Sequence, residues 1–90
     1  MNYSWDENKR LLILRERGLD FADVHQIFEG VRVDIPDERF DYGEPRFVTF
    51  GFLTGRICAV VWTPREDINH IISLRKANDR EQKKYKAGLG

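Results

Sequence analysis

The hydrophobic positions change their spacing partway along the chain. Tyr3 and Trp5 alternate with polar neighbours, which predicts a short strand over residues 1–5. Asp6 then reads as a helix N-cap, with Glu7 adding negative charge where a helix dipole favours it. A helix over 9–17 follows, and the run Leu11, Leu12, Ile13 and Leu14 makes it apolar on more than one face, so it should be largely covered. Gly18 is a probable left-handed cap. Asp20 opens a second helix carrying Phe21, Val24, Ile27 and Phe28 at helical spacing, and Gly30 closes it. The two helices form a hairpin with one shared apolar side.

Beyond Gly30 the period drops to two. Residues 31–35 (VRVDI) alternate until Pro36 stops them, and 46–53 (RFVTFGFL) read as a strand apolar on nearly both faces. Thr54-Gly55 is a tight turn into a return strand over 56–63 (RICAVVWT). Residues 64–67 (PRED) turn again before a strand over 69–75 (NHIISLR), and a basic helix over 77–86 starts near Asn78 or Asp79. The order β-α-α-β-β-β-β-α predicts an α+β fold with a helical hairpin packed on an antiparallel sheet of four to five strands. Strands apolar on both faces need cover on both, and the C-terminal helix is the candidate for the second face. No repeat or linker divides the chain, so residues 1–90 are expected to form a single domain.

A chain of 90 residues with 41% hydrophobic content supports one modest core. It buries about 60–65% of its unfolded surface, and partners often complete such domains. The one cysteine, Cys58, sits inside ICAVVW and reads as a small buried hydrophobe, which suits a reducing compartment. The N-terminus lacks the apolar core of a signal peptide, and no apolar run is long enough to span a membrane. A soluble cytoplasmic protein is expected. The formally neutral chain is asymmetric: residues 1–45 carry 6 Lys/Arg and 11 Asp/Glu, and residues 46–90 carry 9 and 4. The basic half could face an acidic partner, or the two halves could simply attract each other.

The familiar signatures of cofactor and metal chemistry are missing, with no Gly-rich phosphate loop, zinc-spaced Cys/His pair or nucleophile elbow. No cofactor or metal is expected. His25 reads as a core-edge residue beside Phe21 and Phe28, and His70 opens a strand with no partner that can be named. What remains is arginine and carboxylate chemistry. Arg39, Arg46, Arg56, Arg65 and Arg75 fall at strand ends or in loops, and a guanidinium matches phosphate oxygens. Several converging on one sheet edge could hold an RNA backbone and stabilise a pentacoordinate phosphoryl transition state. Glu38 or a basic side chain could take the proton from a 2′-hydroxyl, and Tyr42, Trp62 and Tyr85 offer faces for base stacking. On spacing alone, each arginine reads more readily as a surface ion-pair partner than as a catalyst, and PDERFDYGEPR (36–46) as a solvated connection.

The wording of the chain is more specific than its spacing. Trp5-Asp6-x-x-Lys9, Gly18-Leu19-Asp20-Phe21, the loop DERFDYGEPR, and HIISLRKA followed by a Glu- and Lys-rich helix ending in Tyr85 occur in that order. Over residues 3–85 this resembles the BrnT family of bacterial toxins. The resemblance implies a RelE-like ribonuclease fold and a metal-independent endoribonuclease that cuts RNA and blocks translation. It also implies neutralisation by a BrnA-like antitoxin with a ribbon-helix-helix region, through which the complex would reach operator DNA. Glu38, Arg39, Tyr42, Gly43, Glu44 and Arg46 match the loop motif, and Ser73, Arg75, Lys76 and Ala77 match the second. Arg46 and Arg75 are the first choices for the scissile phosphate, with Glu38 as base or orienter. Arg39, Tyr42, Arg65, Lys76, Lys83 and Lys84 would bind RNA, with Lys86 helping to steer it. The chain departs from the family where Glu16 and Arg17 replace a Lys-His pair, His70 replaces an arginine, and Leu74 a common alanine. An alternative reading follows from the lost pair: a catalytically weakened homologue that binds the antitoxin as a corepressor. A plain RNA-binding domain is a third.

Overall fold

In the computed structural model, which describes residues 2–90, local signals fix most element ends. Strand β1 (Asn2–Trp5) gives way to helix α1 (Glu7–Arg17) at Asp6, whose carboxylate accepts the amide protons of Asn8 (2.9 Å) and Lys9 (3.3 Å). Gly18, at φ 68°, ends α1 and donates its N–H to the Leu14 carbonyl at 3.0 Å. Met1, included in the expected first strand, lies outside the described residues. The expected cover of α1 is absent: Ile13 is buried, but Leu11, Leu12 and Leu14 are 52%, 40% and 37% exposed. The helix packs mainly on one strand, β5 (Ile68–Lys76), at the sheet margin, so only one of its stripes meets the core.

The second helical segment begins at Asp20 as expected, but as a 3-10 turn (Phe21–Asp23) running into a short helix α2 (His25–Glu29). Asp20 caps it through the Ala22 amide at 2.9 Å and grips Arg10 of α1 at 2.7 and 3.1 Å. Phe21, Val24 and Ile27 are almost wholly buried. His25, expected at the core edge, is exposed instead, with Nδ1 3.1 Å from the Ala22 carbonyl.

Strands β2 (Arg32–Pro36), β3 (Phe47–Leu53) and β4 (Arg56–Arg65) complete a five-stranded sheet of order β1-β5-β4-β3-β2. Four strands run antiparallel, and β1 adds to β5 in parallel, so the sheet is mixed. The β3–β4 turn uses Thr54 and Gly55, both at positive φ, as a twisted two-residue hairpin requires. Pro64 and Arg65, expected in the next turn, extend β4 instead, and Glu66 (φ 55°) makes that turn.

One irregularity sets which face each side chain takes. Val61 pairs with Ser73 and Trp62 with Ile71, so Ile72 is an extra residue in β5, a β-bulge. Ile71 and Leu74 therefore both enter the core beneath the helical hairpin, while Ser73 and Arg75 point to the opposite face. In that first core Trp62 stacks on Phe47 (centroids 5.1 Å) and meets Phe28 edge-on (5.2 Å). Its indole N–H donates to Thr49 Oγ1 at 2.7 Å, and the Thr49 hydroxyl donates to Asp34 at 2.7 Å, which satisfies a buried donor through two strands. Cys58 is fully buried among these residues, and burial pushes its thiol pKa up.

The second face is covered by helix α3 (Asp79–Tyr85) and the 3-10 turn Lys86–Leu89, as expected of the C-terminal segment. Tyr85 stacks on Phe50 (4.3 Å, 22°), and Leu89 closes the cluster with Ile57, Ala59 and Ala77. Asn78 and Glu81 form a reciprocal capping box at the start of α3.

The loop 37–46 is built around Asp37, whose side chain is only 3% exposed. Its N–H donates to the Arg46 carbonyl at 2.8 Å and closes the loop base. Its carboxylate accepts two bonds from the Arg39 guanidinium (2.9 and 3.0 Å) and one from the Tyr42 hydroxyl (3.3 Å). Asp41 accepts the amide of Gly43 (φ 71°) at 3.0 Å, and the Thr63 hydroxyl donates to the Pro45 carbonyl. The Arg39 hydrogen bonds hold the Asp37 carboxyl well below its ordinary 3.8, at about 2.

Two stability outcomes follow. A Cβ at Gly51 would lie 2.8 Å from Cγ2 of Ile27, a β-branched side chain with little freedom in a helix. Gly51→Ala should therefore destabilise the fold by about 1–3 kcal/mol, read as a lower denaturant midpoint; an unchanged midpoint would show that α2 can retreat from β3. Because the folded pKa of Asp37 lies below its ordinary value, its contribution is complete above pH 3.8 and is lost as pH falls through about 2. Asp37→Asn should cost about 1 kcal/mol at pH 7, after allowance for solvent around its partner. The gap between the two melting curves should close on acidification across that window, and a gap that persists at pH 2 would contradict this account.

Candidate active site

Arg75 reaches the second face because the bulge at Ile72 puts it there, and it lies opposite Ala59 on β4, whose small side chain leaves room above it. Together with the loop 37–46 and α3 it borders a cleft of about 360 Å³ lined by Glu38, Arg39, Val48, Arg75, Glu81 and Tyr85, among others. Arg75 and Arg39, remote in sequence, line the same cleft, and the Arg39 cation works weakly against charge on Arg75. Both guanidinium groups are gripped bidentately by carboxylates. Glu81 accepts from Arg75 at 2.7 and 2.9 Å, which raises the arginine's pKa and lowers its own. Asp37 does the same for Arg39.

A carboxylate held in this way by a guanidinium occupies the geometry that two phosphate oxygens would take. A phosphate could instead use the N–H groups that these carboxylates leave free, since a guanidinium has five and each pairing uses two, whereas displacing Asp37 would strand a nearly buried carboxylate without its cation. Glu38 lies exposed on its rim, and Tyr85 presents the side of its ring that is not stacked on Phe50.

Arg46 is not in this cleft. It lines an adjoining pocket of about 400 Å³, which shares Pro36, Asp37 and Glu38 with the first. Its guanidinium carbon sits 3.9 Å from the centroid of the Tyr42 ring, a close cation–π contact, and its Nε is 3.8 Å from Glu44. That Nε is buried and makes no hydrogen bond among the described residues. Arg65 approaches the other oxygen of Glu44 at 3.4 Å.

The remaining expected RNA-binding residues disperse. Lys83 and Lys84 are exposed on α3, with the Lys84 ammonium 5.4 Å from the Tyr85 ring. Lys76 and Arg56 line a separate depression near Gly18 and Asp20, on the hairpin side. The arginines thus do not converge on one sheet edge. Trp62, considered for base stacking, is a core residue with both ring faces and its N–H engaged.

Four residues gain a contact or a setting that sequence spacing did not give them. Glu81 was legible only as the third position of the Asn78 capping box, yet it also holds Arg75. Arg17 reaches over the free edge of β5, beyond the end of its pairing with β1, and donates to the Leu74 carbonyl (3.0 Å) and Ser73 Oγ (3.4 Å). Its contacts therefore fall on the residues just before Arg75. Phe40, at the loop tip, is 68% exposed. His70 gains a partner, Ser4, at 2.8 Å through Nδ1, and burial lowers its pKa so that it is neutral at pH 7.

Among the described residues, no cluster of His, Cys, Asp and Glu could hold a metal ion, and no helix is long and apolar enough to cross a membrane. No curated protein matches the chain. A family model for the ribonuclease toxin BrnT of type II toxin–antitoxin systems matches residues 5–81, a span that holds Glu38, Arg39, Arg46, Arg75 and Glu81. The chain belongs to the BrnT family of ribonuclease toxins of type II toxin–antitoxin systems.

Proposed function

We propose that this protein is a cytoplasmic endoribonuclease whose cutting of RNA inhibits translation, and that it works without a metal. The observation that carries the reading is the cleft that Arg75 and Arg39 line together, with the free carboxylate of Glu38 at the rim. The 2′-hydroxyl attacks the adjacent phosphorus, forming the O2′–P bond as the P–O5′ bond breaks. Glu38 accepts the 2′ proton, the departing 5′-oxygen takes one from solvent, and a 2′,3′-cyclic phosphate remains. Arg75 and Arg39 neutralise the charge that builds on the equatorial oxygens, through the N–H groups that Glu81 and Asp37 leave free. Arg46 and Tyr42 hold the strand in the adjoining pocket, and Arg65, Lys76, Lys83 and Lys84 draw the polyanion towards the surface.

The arrangement of a helical hairpin on one sheet face and a C-terminal helix on the other supports a RelE-like fold, with residues 1–90 as one toxin domain. We assign the antitoxin to the BrnA-like, ribbon-helix-helix class, which would carry the complex to operator DNA. The second reading, a weakened toxin acting as corepressor, draws on Arg17, which takes the place of the family histidine and is engaged with the β5 edge.

Inducible expression in bacteria tests the two readings. Wild type should arrest growth and fragment RNA. Arg75→Ala should lower kcat by about 100- to 1,000-fold, the cost of losing one donor to a transition-state oxygen, and Arg46→Ala should raise KM more than it lowers kcat. Equal growth of all three strains with intact RNA would overturn the ribonuclease reading and favour the corepressor.

A further inference from the structure

The pocket beside the cleft has a composition that does not suit phosphate. Asp37, Glu38, Asp41 and Glu44 line it against the single cation Arg46, so a second phosphate placed there would meet net negative charge. Its walls instead offer aromatic surface. Phe40 stands edge-on to Tyr42 (5.9 Å, 75°), and Tyr42 rests against the Arg46 guanidinium. This ladder fixes the Phe40 ring in orientation while leaving most of it open to solvent, at 68% exposure.

The four acids are not equivalent. Asp37 is committed to Arg39 and Asp41 to the Gly43 amide. Glu44 is held only by the longer approaches of Arg46 (3.8 Å) and Arg65 (3.4 Å), and is partly buried. It is therefore an acceptor pair that a ligand can take over, and beside the exposed Phe40 ring it suits a flat ligand that carries N–H donors.

We propose that this pocket is a nucleobase subsite, in which Phe40 is the stacking platform and Glu44 selects a guanine through its adjacent N1–H and N2–H donors. The inference rests on the RNA-cleaving reading and extends it to sequence preference. The pocket shares Pro36, Asp37 and Glu38 with the cleft, so the guanine it accepts belongs to a nucleotide next to the scissile phosphate. Uracil and an abasic sugar lack the paired donors or the ring, and bind less well.

The test uses non-cleavable 2′-O-methyl RNA pentamers containing one guanine, one uracil or one abasic sugar at the centre, with affinity read by fluorescence anisotropy. Wild type should prefer the guanine pentamer roughly tenfold over the abasic one, the scale of one base–aromatic stack. Phe40→Ala should bring both to the affinity of the abasic pentamer, and Glu44→Gln should remove the preference for guanine over uracil while keeping the stack. Circular dichroism of each variant separates these outcomes from misfolding. Equal losses for all three pentamers in Phe40→Ala, or no preference in wild type, would overturn the subsite. So would a Phe40→Ala variant that binds RNA normally but fails to hold its antitoxin, which would assign the ring to protein docking. Wild type that shows the guanine preference yet leaves unmodified RNA intact would sink only the cleavage reading.

Discussion

The one extra residue in β5 is the constraint on which both faces of the sheet depend. Without Ile72 as a bulge, a strict two-residue period would send Ile71 to the same face as Ser73 and Arg75. A buried isoleucine would then leave the first core, or Arg75 would turn beneath the helical hairpin and Leu74 would leave it. A guanidinium there would have to find a partner in an apolar interior, at a cost far above that of a local bulge. The bulge reconciles a continuous core on one side with a cation on the other. Beyond the bulge the edge of β5 is open, because β1 ends at Trp5 and its pairing stops at Ile71, and Arg17 occupies that edge.

Once Arg75 is on the second face, two helix-level features determine its surroundings. The capping box of α3 places Glu81 at the first turn, where its carboxylate serves both the Asn78 amide and the Arg75 guanidinium. Tyr85, a little over one turn further on, anchors the helix through Phe50. Helix position and cation geometry are therefore coupled, because movement of α3 releases Arg75 and movement of Arg75 unties the cap. Opposite them, Asp37 organises the loop by the same means, as a nearly buried carboxylate whose bonds to Arg39 and Tyr42 fix a ten-residue connection with no secondary structure of its own.

Local chemistry made much of this legible in the chain. Asp6, Gly18, Asp20 and Asn78 cap or start the segments that their side-chain chemistry implies, and Thr54-Gly55 makes the turn its backbone freedom allows. What spacing does not reveal is which neighbour an element meets. Four consecutive apolar residues in α1 predict cover on more than one face, but only a stripe of a helix at a sheet margin touches the core, so three leucines stay exposed. The bulge was hidden for a similar reason, since the run Ile71-Ile72-Ser73 has no glycine or proline to announce an irregular strand. Trp62 shows the opposite failure: its aromatic type was read correctly, while burial, set by cross-strand partners, makes it core; Phe40, exposed at the loop tip, was not among the stacking candidates at all.

The charge asymmetry of the two halves also has a different origin from simple mutual attraction. The ion pairs among the described residues are mostly local: Arg10 with Glu7 and Asp20, Arg32 with Asp34, Arg39 with Asp37, Arg75 with Glu81. Only Glu44, shared by Arg46 and Arg65, joins the acidic half to the basic one. The arginines at the cleft are thus balanced where they stand, and the second half's excess resides largely in exposed lysines such as Lys76, Lys83 and Lys84. In the proposed ribonuclease such lysines would attract a polyanion at a range set by ionic screening, about 8 Å at physiological salt, whereas a guanidinium already paired with a carboxylate would act only on a ligand of matching geometry. Long-range attraction and local discrimination are therefore carried by different residues. A polyanion drawn to the lysines would gain at the cleft only where a phosphate meets the N–H groups that Glu81 and Asp37 leave free on the two arginines.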